Sequence, residues 1–389
     1  MNAVDSVRLE RIQRKMDEAG IDLLVVRLPE DVVYLTEYWP HHGVSVAVLA
    51  RDGRPVLFLP EVEAEWADPS WADVEPFGWS MLKDPDLYDT YRSVLGKFAA
   101  QYGRATIGVE QSAEVVGPTY RSAEPIIPAA PWHAMVADVF AGARLVDAVP
   151  FLAELRAIKT GYEVEKLRVA AEIAEMGLHH ALENMTPGKT EAQIGALVEA
   201  KIRGEGPGYR GARLVRASAE VTAGLNSAKA VLLVPSTDYV TCEGDLVMIE
   251  LGAVVDGYWS DLTYMGVLGE PTERQREVHN ALLEAQLAAM AAVRPGALGS
   301  EPDRIARESL AKAGLDQYFP HVTGHGIGLR YHEFVPMLMP GSQVVLEPGM
   351  YMSVEPGVYI PGFGGVRIED NVLVGPDGPV PLSTPRKPW

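Results

Sequence analysis

A histidine- and glycine-rich stretch spans residues 321–333 and reads His321-Val322-Thr323-Gly324-His325-Gly326-Ile327-Gly328-Leu329-Arg330-Tyr331-His332-Glu333. Three of the nine histidines of the chain fall within twelve residues here. The glycines around His325 allow the backbone to approach a ligand closely. Their spacing differs from that of a phosphate-binding loop, and no lysine follows them. The stretch indicates a site built on imidazoles, although histidines near glycines also occur in ordinary loops.

A hairpin is predicted upstream of this stretch, where Asp256-Gly257 separates two apolar segments. In the register that this turn sets, Glu250 lies opposite Thr263 and Asp261 lies opposite Gly252. Side-chain alternation then places Glu250 and Asp261 on one face, with their Cβ atoms about 7–8 Å apart at most. Two carboxylates at this separation can bind one metal ion or bridge two, and Gly252 leaves space opposite Asp261.

A second hairpin is predicted downstream, around residues 361–364. Glu355 and Glu369 lie seven residues on either side of Gly362, so they should be nearly opposite each other. Alternation aligns Arg367 with Glu369. Two carboxylates this close repel each other unless a proton or a cation lies between them. An exposed acidic pair screened by water is the alternative interpretation, and a metal ion explains all four acids better.

Four segments, in this order, resemble the pita-bread metallopeptidases, which include Xaa-Pro aminopeptidases, prolidases and methionine aminopeptidases. They are Gly257-Tyr258-Trp259-Ser260-Asp261-Leu262-Thr263, Gly324 to Glu333, Val354-Glu355-Pro356-Gly357 and Gly365-Val366-Arg367-Ile368-Glu369-Asp370. The resemblance implies an α+β pita-bread catalytic domain over residues 155–389. It also implies a smaller α/β domain of the creatinase and prolidase N-terminal type over residues 1–154.

The resemblance also implies a metal centre. The family uses Asp, Asp, His, Glu and Glu for a two-metal site, and the matching positions are Glu250, Asp261, His325, Glu355 and Glu369. Glutamate replaces the first aspartate, and its extra methylene moves the carboxylate oxygens, so one or two divalent ions are expected. Oxygen-rich ligation with one imidazole suits Mn²⁺, Co²⁺, Fe²⁺ or Zn²⁺, and Mn²⁺ is the favoured ion.

The supporting residues of the family also have matches in this chain. His321 and His332 match its substrate-contacting and proton-handling histidines, and Arg367 matches the arginine beside the last ligand. By the same resemblance, Glu355 accepts a proton from the attacking water. These four residues are the predicted catalytic set.

One position departs from the peptidase pattern. Peptidases of this type have a histidine seventeen residues before the first ligand, and this chain has Leu233 there. Lys229 and Tyr258 are candidates for the missing donor. The family's usual Thr-Arg-Thr after the second ligand is here Thr263-Tyr264-Met265. The metal ligands are thus retained, while the substrate-binding wall is altered.

The first part of the chain alternates predicted helices and strands, which favours an α/β domain. Helices are predicted at 7–19 and 87–101, and strands at 21–27, 44–50, 55–59 and 106–110. The loop at residues 38–42 carries Trp39, His41 and His42. Because relatives are usually homodimers whose N-terminal domain reaches the partner's cleft, these three are predicted lid residues, and a homodimer is expected. An ordinary surface loop is the alternative.

Bulk properties restrict the possible partners. The net charge of −19 argues against nucleic acid, because a phosphate backbone requires a basic face. No stretch approaches the roughly 18 apolar residues that a membrane span needs. The N-terminus lacks the apolar segment of a signal peptide, and a single cysteine, Cys242, fits a reducing compartment. A cytoplasmic location is therefore predicted.

Three functions remain open at this level. The first is a metal-dependent hydrolase of the Xaa-Pro dipeptidase or aminopeptidase type, in which metal-activated water attacks an amide carbonyl. The second is a non-peptidase of the same fold, such as a creatinase-like C–N hydrolase or a lyase acting on a small molecule, which Leu233 and Glu250 favour. The third is a metal-free binding protein. Burying five ionisable groups without a metal would be costly, which counts against the third.

Overall fold

The computed structural model describes residues 5–79, 86–112, 130–231, 234–384 and 386–389. Contacts divide the chain into two compact units, of which the first ends at Arg156 and the second begins at Ala157. Leu233 lies outside the described residues. None of the helices within the described ranges combines the length and the apolar composition that a bilayer crossing requires.

The first unit contains a mixed six-stranded sheet. Its strands are β1 (Leu23–Val26), β2 (Val46–Ala50), β3 (Val56–Pro60), β4 (Asp73–Phe77), β5 (Thr106–Val109) and β6 (Arg144–Asp147). Their spatial order is β4-β3-β2-β1-β5-β6. Strand β1 is antiparallel to β2 and parallel to β5, so the sheet combines a hairpin segment with crossover connections.

Helices connect and flank these strands. They are α1 (Ser6–Ala19), α2 (Pro29–Thr36), α3 (Leu87–Tyr102), α4 (Ala130–Val139) and α5 (Val149–Ala157). The Asp5 carboxylate accepts a hydrogen bond from the Arg8 amide and begins α1, and Gly20 ends it with a φ of 65°. The predicted helix 7–19 is confirmed. Phe58 and Trp132 belong to the apolar core of this unit.

Within its described residues, the second unit has four α-helices. They are α6 (Gly161–Asn184), α7 (Glu191–Glu205), α8 (Glu273–Ala291) and α9 (Ser300–Lys312). The first three begin with capping boxes, in which a threonine side chain and a residue three positions later bond each other's backbone amides. In α7 this capping box joins Thr190 and Gln193. These reciprocal bonds fix where each helix starts relative to the sheet beneath it.

The strands of this unit form three antiparallel sheets. They are β7 (Val215–Ala223), β8 (Leu246–Val255), β9 (Tyr258–Val267), β10 (Gly324–Gly326), β11 (Glu333–Leu338), β12 (Tyr351–Val354), β13 (Gly357–Ile360), β14 (Gly364–Arg367), β15 (Asp370–Val374) and β16 (Pro379–Pro381). The sheet orders are β7-β8-β9, β11-β10-β12-β15-β16 and β13-β14. Helices α6 and α7 pack on the first sheet, and α8 packs on β12 and β14. The predicted α+β architecture is confirmed.

The hairpin between β8 and β9 has the predicted register. Glu250 pairs with Thr263, and Gly252 pairs with Asp261. Asp256 and Gly257 have φ values of 52° and 95°, as a two-residue hairpin turn of the primed type requires. Apolar side chains of the opposite strand face, such as Ile249, pack in the core beneath α6 and α7. The remaining face therefore carries Glu250 and Asp261 together.

Candidate metal centre

Strands β8 and β9 supply the first two acids of the candidate metal centre. Glu250 and Asp261 are both buried, at 7% and 2% exposure. Thr263 lies opposite Glu250 in the ladder, and its hydroxyl is 2.6 Å from Glu250 Oε2. Asn371 holds the Asp261 backbone, because its Oδ1 accepts the Asp261 amide and its side-chain amide donates to the Asp261 carbonyl. The second carboxylate is thus fixed by the neighbouring strand β15.

His325 lies in the middle of β10 and is buried. Its Nδ1 lies 2.9 Å from the Gly326 carbonyl oxygen, a contact in which Nδ1–H donates, so Nε2 is the ring nitrogen directed at the site. This Nε2 is 3.5 Å from Asp261 Oδ2 and 3.3 Å from Glu355 Oε1. The strand needs a glycine at position 324, because a Cβ there would lie 2.0 Å from the Ser353 carbonyl oxygen.

The hairpin register brings Glu355 and Glu369 together. Val354 pairs with Asp370 on one side of the two glutamates, and Gly357 pairs with Arg367 on the other. Glu369 Oε2 lies 2.8 Å from the Thr263 hydroxyl, whose single proton it shares with Glu250 Oε2. Glu369 Oε1 is buried and has no hydrogen-bond partner among the described residues. An orphaned carboxylate oxygen in a fully buried residue is costly unless a cation faces it.

Two overlapping groups of these side chains have ligand atoms within 4.8 Å of one another: Glu250, Asp261 and Glu369 form one group, and His325, Glu355 and Glu369 form the other. His332, at the edge of the site, forms a third such group with Asp261 and His325. The five predicted ligand positions are therefore all brought together. Four carboxylates, one imidazole and an orphaned oxygen are a donor set that fits a divalent ion.

Burial and the closeness of like charges set the ionisation of the cluster. Burial, followed by the charge of Glu250, raises the pKa of Asp261 to about 7. Burial and the neighbouring carboxylates raise the pKa of Glu369 well above its ordinary value. Burial alone would lower the pKa of His325, but the hydrogen bonds and charges of Asp261 and Glu355 raise it to about 10. A divalent cation would favour the ionised carboxylates and the neutral imidazole.

Arg367 is directed to the first acid of the set. Its guanidinium pairs with Glu250 and donates to the Thr263 hydroxyl and to the Tyr359 hydroxyl, the latter at 2.8 Å. Tyr359 lies 2.9 Å from His321 Nε2, while His321 Nδ1 is 2.8 Å from the Val322 carbonyl oxygen. Burial lowers the pKa of His321, consistent with a neutral ring whose Nε2 accepts from Tyr359. Arg367, Tyr359 and His321 thus form one hydrogen-bonded chain.

Two aromatic residues of the site were not predicted from the sequence. The Tyr331 hydroxyl lies 2.7 Å from Glu250 Oε1 and 2.5 Å from Asp261 Oδ1. The ring of Trp259 packs edge-on against Tyr331, with centroids 5.4 Å apart. Tyr331 directly precedes His332 in the histidine-rich stretch. This adjacency is the sequence signal that could have indicated a role for Tyr331 in the site. Trp259 shares the strand face of Asp261, which alternation alone would have shown.

The candidate replacement donors lie elsewhere. Tyr258 is three residues from Asp261 in β9, and side-chain alternation therefore places it on the opposite strand face. Lys229 is exposed and donates to the Asn226 side chain at 2.9 Å. Tyr258 therefore lies on the strand face opposite Asp261 and Lys229 lies at the surface, and their role as replacement donors stays a prediction.

The predicted lid loop belongs to the first unit. His41 and His42 are exposed and Trp39 is half-buried. His42 Nδ1 lies 2.5 Å from Glu63 Oε1, and its ring packs near Trp79. The loop is thus anchored within its own unit, and its role as a lid stays a prediction.

Two family models match the chain. The model of metallopeptidase family M24 matches residues 165–376, and that of the Creatinase/Prolidase N-terminal domain matches residues 8–158. The chain belongs to metallopeptidase family M24. Membership confirms the predicted family and fold, and it makes the chain a metallohydrolase that uses divalent metal.

Relatives in family M24 cover nearly the whole chain. The Xaa-Pro dipeptidase of Pyrococcus furiosus is 34% identical over 95% of this chain and 96% of its own length. The Xaa-Pro dipeptidase of Lactobacillus delbrueckii subsp. lactis is 33% identical over 97% and 96%. The crystal structure of the prolidase from Pyrococcus horikoshii OT3 superposes with a TM-score of 0.79, at 29% identity over 98% of this chain and 99% of that one. These full-length matches include both units.

Proposed function

We propose that this M24 chain is an Xaa-Pro dipeptidase, which hydrolyses the peptide bond before proline in short peptides. The observation that carries the proposal is the convergence of Asp261, His325, Glu355 and Glu369 on one buried centre with an orphaned carboxylate oxygen. The full-length similarity to Xaa-Pro dipeptidases supports the choice of substrate.

The same side chains, together with Glu250, are the proposed metal ligands. When bound, a divalent ion supplies Lewis acidity for the peptide carbonyl and lowers the pKa of water at the site. We favour Mn²⁺, because carboxylate oxygens outnumber the single imidazole nitrogen and such a donor set suits harder ions than Zn²⁺.

The other residues act on substrate and protons. We assign Glu355 as the base that accepts the proton of the attacking water; its Oε1 already accepts a hydrogen bond of 3.0 Å from Ser353, which fixes the carboxylate. His332 is half-exposed beside His325, with ring centroids 4.4 Å apart, and we assign it as a donor to the carbonyl oxygen. His321 and Arg367 act by positioning, since their hydrogen-bonded chain through Tyr359 ends on Glu250.

The assembly and location follow the same reasoning. From the resemblance of the chain to its family, we propose a homodimer in which Trp39, His41 and His42 are lid residues toward the partner's cleft. We also propose a cytoplasmic location. Size measurement of the purified protein tests the dimer. Alanine at all three lid positions should raise KM in the dimer, and an unchanged KM and kcat would contradict the lid.

The substrate proposal is tested with purified protein reconstituted with Mn²⁺. Release of free proline is measured over a panel of Xaa-Pro dipeptides, with the same residues in reversed order as controls. Proline release from the first group alone supports the proposal. No release from any Xaa-Pro dipeptide by metal-loaded protein would contradict it and would favour the small-molecule hydrolase or lyase.

A further inference from the structure

The metal centre offers two overlapping places for an ion, and the hydrogen bonds made by the ligand atoms differ between them. Glu250 and Asp261 contribute to one place, and His325 and Glu355 contribute to the other, while Glu369 belongs to both. In one of the two places, side chains of the protein donate to the carboxylate oxygens that an ion would need.

The place between Glu250 and Asp261 holds protein donors. The Tyr331 hydroxyl contacts one oxygen of each carboxylate, at 2.7 Å and 2.5 Å. The other oxygen of Glu250 receives the Thr263 hydroxyl and the Arg367 guanidinium. Both oxygens of Glu250 are thus engaged, and the guanidinium supplies the positive charge that the paired acids require.

Packing holds these donors in position. Tyr331 is 8% exposed, and Trp259 packs against its ring. The Arg367 guanidinium also donates to the Ala230 carbonyl oxygen at 3.0 Å and to the Tyr359 hydroxyl at 2.8 Å. An ion entering beside Glu250 would have to displace a buried phenol and a buried guanidinium from the hydrogen bonds that hold them.

The place between His325 and Glu355 is arranged differently. Glu369 Oε1 is fully buried and lacks a hydrogen-bond partner among the described residues. Asp261 Oδ2, on the oxygen not used by Tyr331, faces His325 Nε2 at 3.5 Å. Nδ1–H is bound to a backbone carbonyl, so Nε2 is the ring nitrogen that faces this place. The ligand atoms of this place therefore face one another and can bind a cation without losing a hydrogen bond from Tyr331 or Arg367.

We propose that the chain binds one divalent ion tightly, through Asp261, His325, Glu355 and Glu369, and that Tyr331 with Arg367 closes the second place. This narrows the five-residue ligand set given above to four, because Glu250 then pairs with Arg367 and Tyr331 and does not bind the ion. The inference deepens the proposed function and rests on it only for the presence of a metal centre. It makes Tyr331 the residue that sets the number of ions.

The experiment counts ions instead of measuring activity. Metal-free protein is titrated with Mn²⁺ in a calorimeter, and the bound metal is counted after dialysis. Electron paramagnetic resonance then separates isolated Mn²⁺ from a coupled pair. We expect one ion per chain and an uncoupled spectrum for the natural sequence. Tyr331→Phe should raise the count to two and produce the coupled spectrum.

Tyr351→Phe is the matched control. The Tyr351 hydroxyl is buried and has no hydrogen-bond partner among the described residues, so its removal should leave one ion per chain. Two tightly bound ions in the natural sequence would overturn the inference whether or not Tyr331→Phe folds. A count of one in folded Tyr331→Phe would overturn the role of Tyr331. Failure to release proline would contradict the proposed substrate but leave the ion count unchanged.

Discussion

Arg367 and Glu250 lie 117 residues apart in the sequence and form a buried ion pair, with side chains 5% and 9% exposed. The pair joins β14 to β8 and holds the first acid of the centre. Burial by itself disfavours the guanidinium charge, yet Glu250, Tyr359 and the other carboxylates raise the pKa of Arg367 well above its ordinary value. The charge at this position is therefore permanent.

Arg367→Met should destabilise the metal-free protein. Removing one partner of a buried pair leaves Glu250 uncompensated, which typically costs about 3–5 kcal/mol in the free energy of unfolding. Urea unfolding in the presence of a chelator measures the change. Arg304→Met is the control, because Arg304 pairs with Glu308 on the exposed side of α9 and should leave the unfolding midpoint unchanged. Equal midpoints for all three proteins would show that the buried pair is not structurally important.

Asp261→Ala and Glu369→Ala should each abolish tight Mn²⁺ binding. Removing a partner outside the ligand shell already lowers metal affinity or activity by about 10–100-fold. Removing a ligand should therefore lower the rate of proline release by more than about 10²-fold. Calorimetry and proline release measure the two effects, with exposed Glu308→Ala as the control. Normal Mn²⁺ affinity in either variant would remove that residue from the ligand set.

Asn371→Ala should weaken Mn²⁺ binding without removing a ligand. Asn371 holds the Asp261 backbone through an accepted and a donated hydrogen bond, and partners of this kind are worth about 10–100-fold in metal affinity. Calorimetric titration measures the affinity, and the ion count should stay the same. Asn184→Ala, which alters an exposed side chain of α6, is the control. An unchanged affinity would mean that the strands alone position Asp261.

Leu233→His should raise the rate of proline release. The change restores the histidine that the family pattern has at this position, and a lost oxyanion donor typically costs about 10²–10³-fold in rate. The measurement is kcat on the preferred Xaa-Pro dipeptide, with Leu233→Gln as the comparison. A rate that does not rise would show that this departure from the family pattern does not limit turnover.

Stability should depend on pH through His279 of α8. Burial lowers the pKa of His279 from 6.5 to about 4. The ring stacks on Trp389 with centroids 4.0 Å apart. Between these pH values the unfolded chain binds the proton and the folded chain does not, so the free energy of unfolding falls as the pH falls. The full contribution is present above pH 6.5, and about 3 kcal/mol is lost by the time the folded ring is protonated.

The control for this effect is His279→Phe, which keeps an aromatic ring against Trp389 and removes the titration. Urea unfolding at a series of pH values should give a shallower acid dependence for the variant. Parallel curves for the two proteins would show that other groups cause the acid sensitivity.

Local pattern was sufficient for the hairpins. The Asp256-Gly257 turn fixes the register of β8 and β9, because the side-chain period of a strand is two and one turn sets every pair. The same reasoning about Gly362 placed Glu355 opposite Glu369. For Tyr258 and Lys229 the local pattern named only candidate donors, and it did not determine the direction of either side chain.

The sequence by itself determined the two hairpins and the pairing of their acids, because turn chemistry and strand alternation are local properties of the chain. Its motifs also indicated the family, the two-part architecture and the full ligand set through their resemblance to known metallopeptidases. Only the tertiary structure decided the partners within the centre. Arg367 reaches Glu250 instead of its strand neighbour Glu369, and Tyr331 reaches Glu250 and Asp261 from an irregular loop. The direction of a side chain in such a loop depends on packing between distant segments, which no local period encodes.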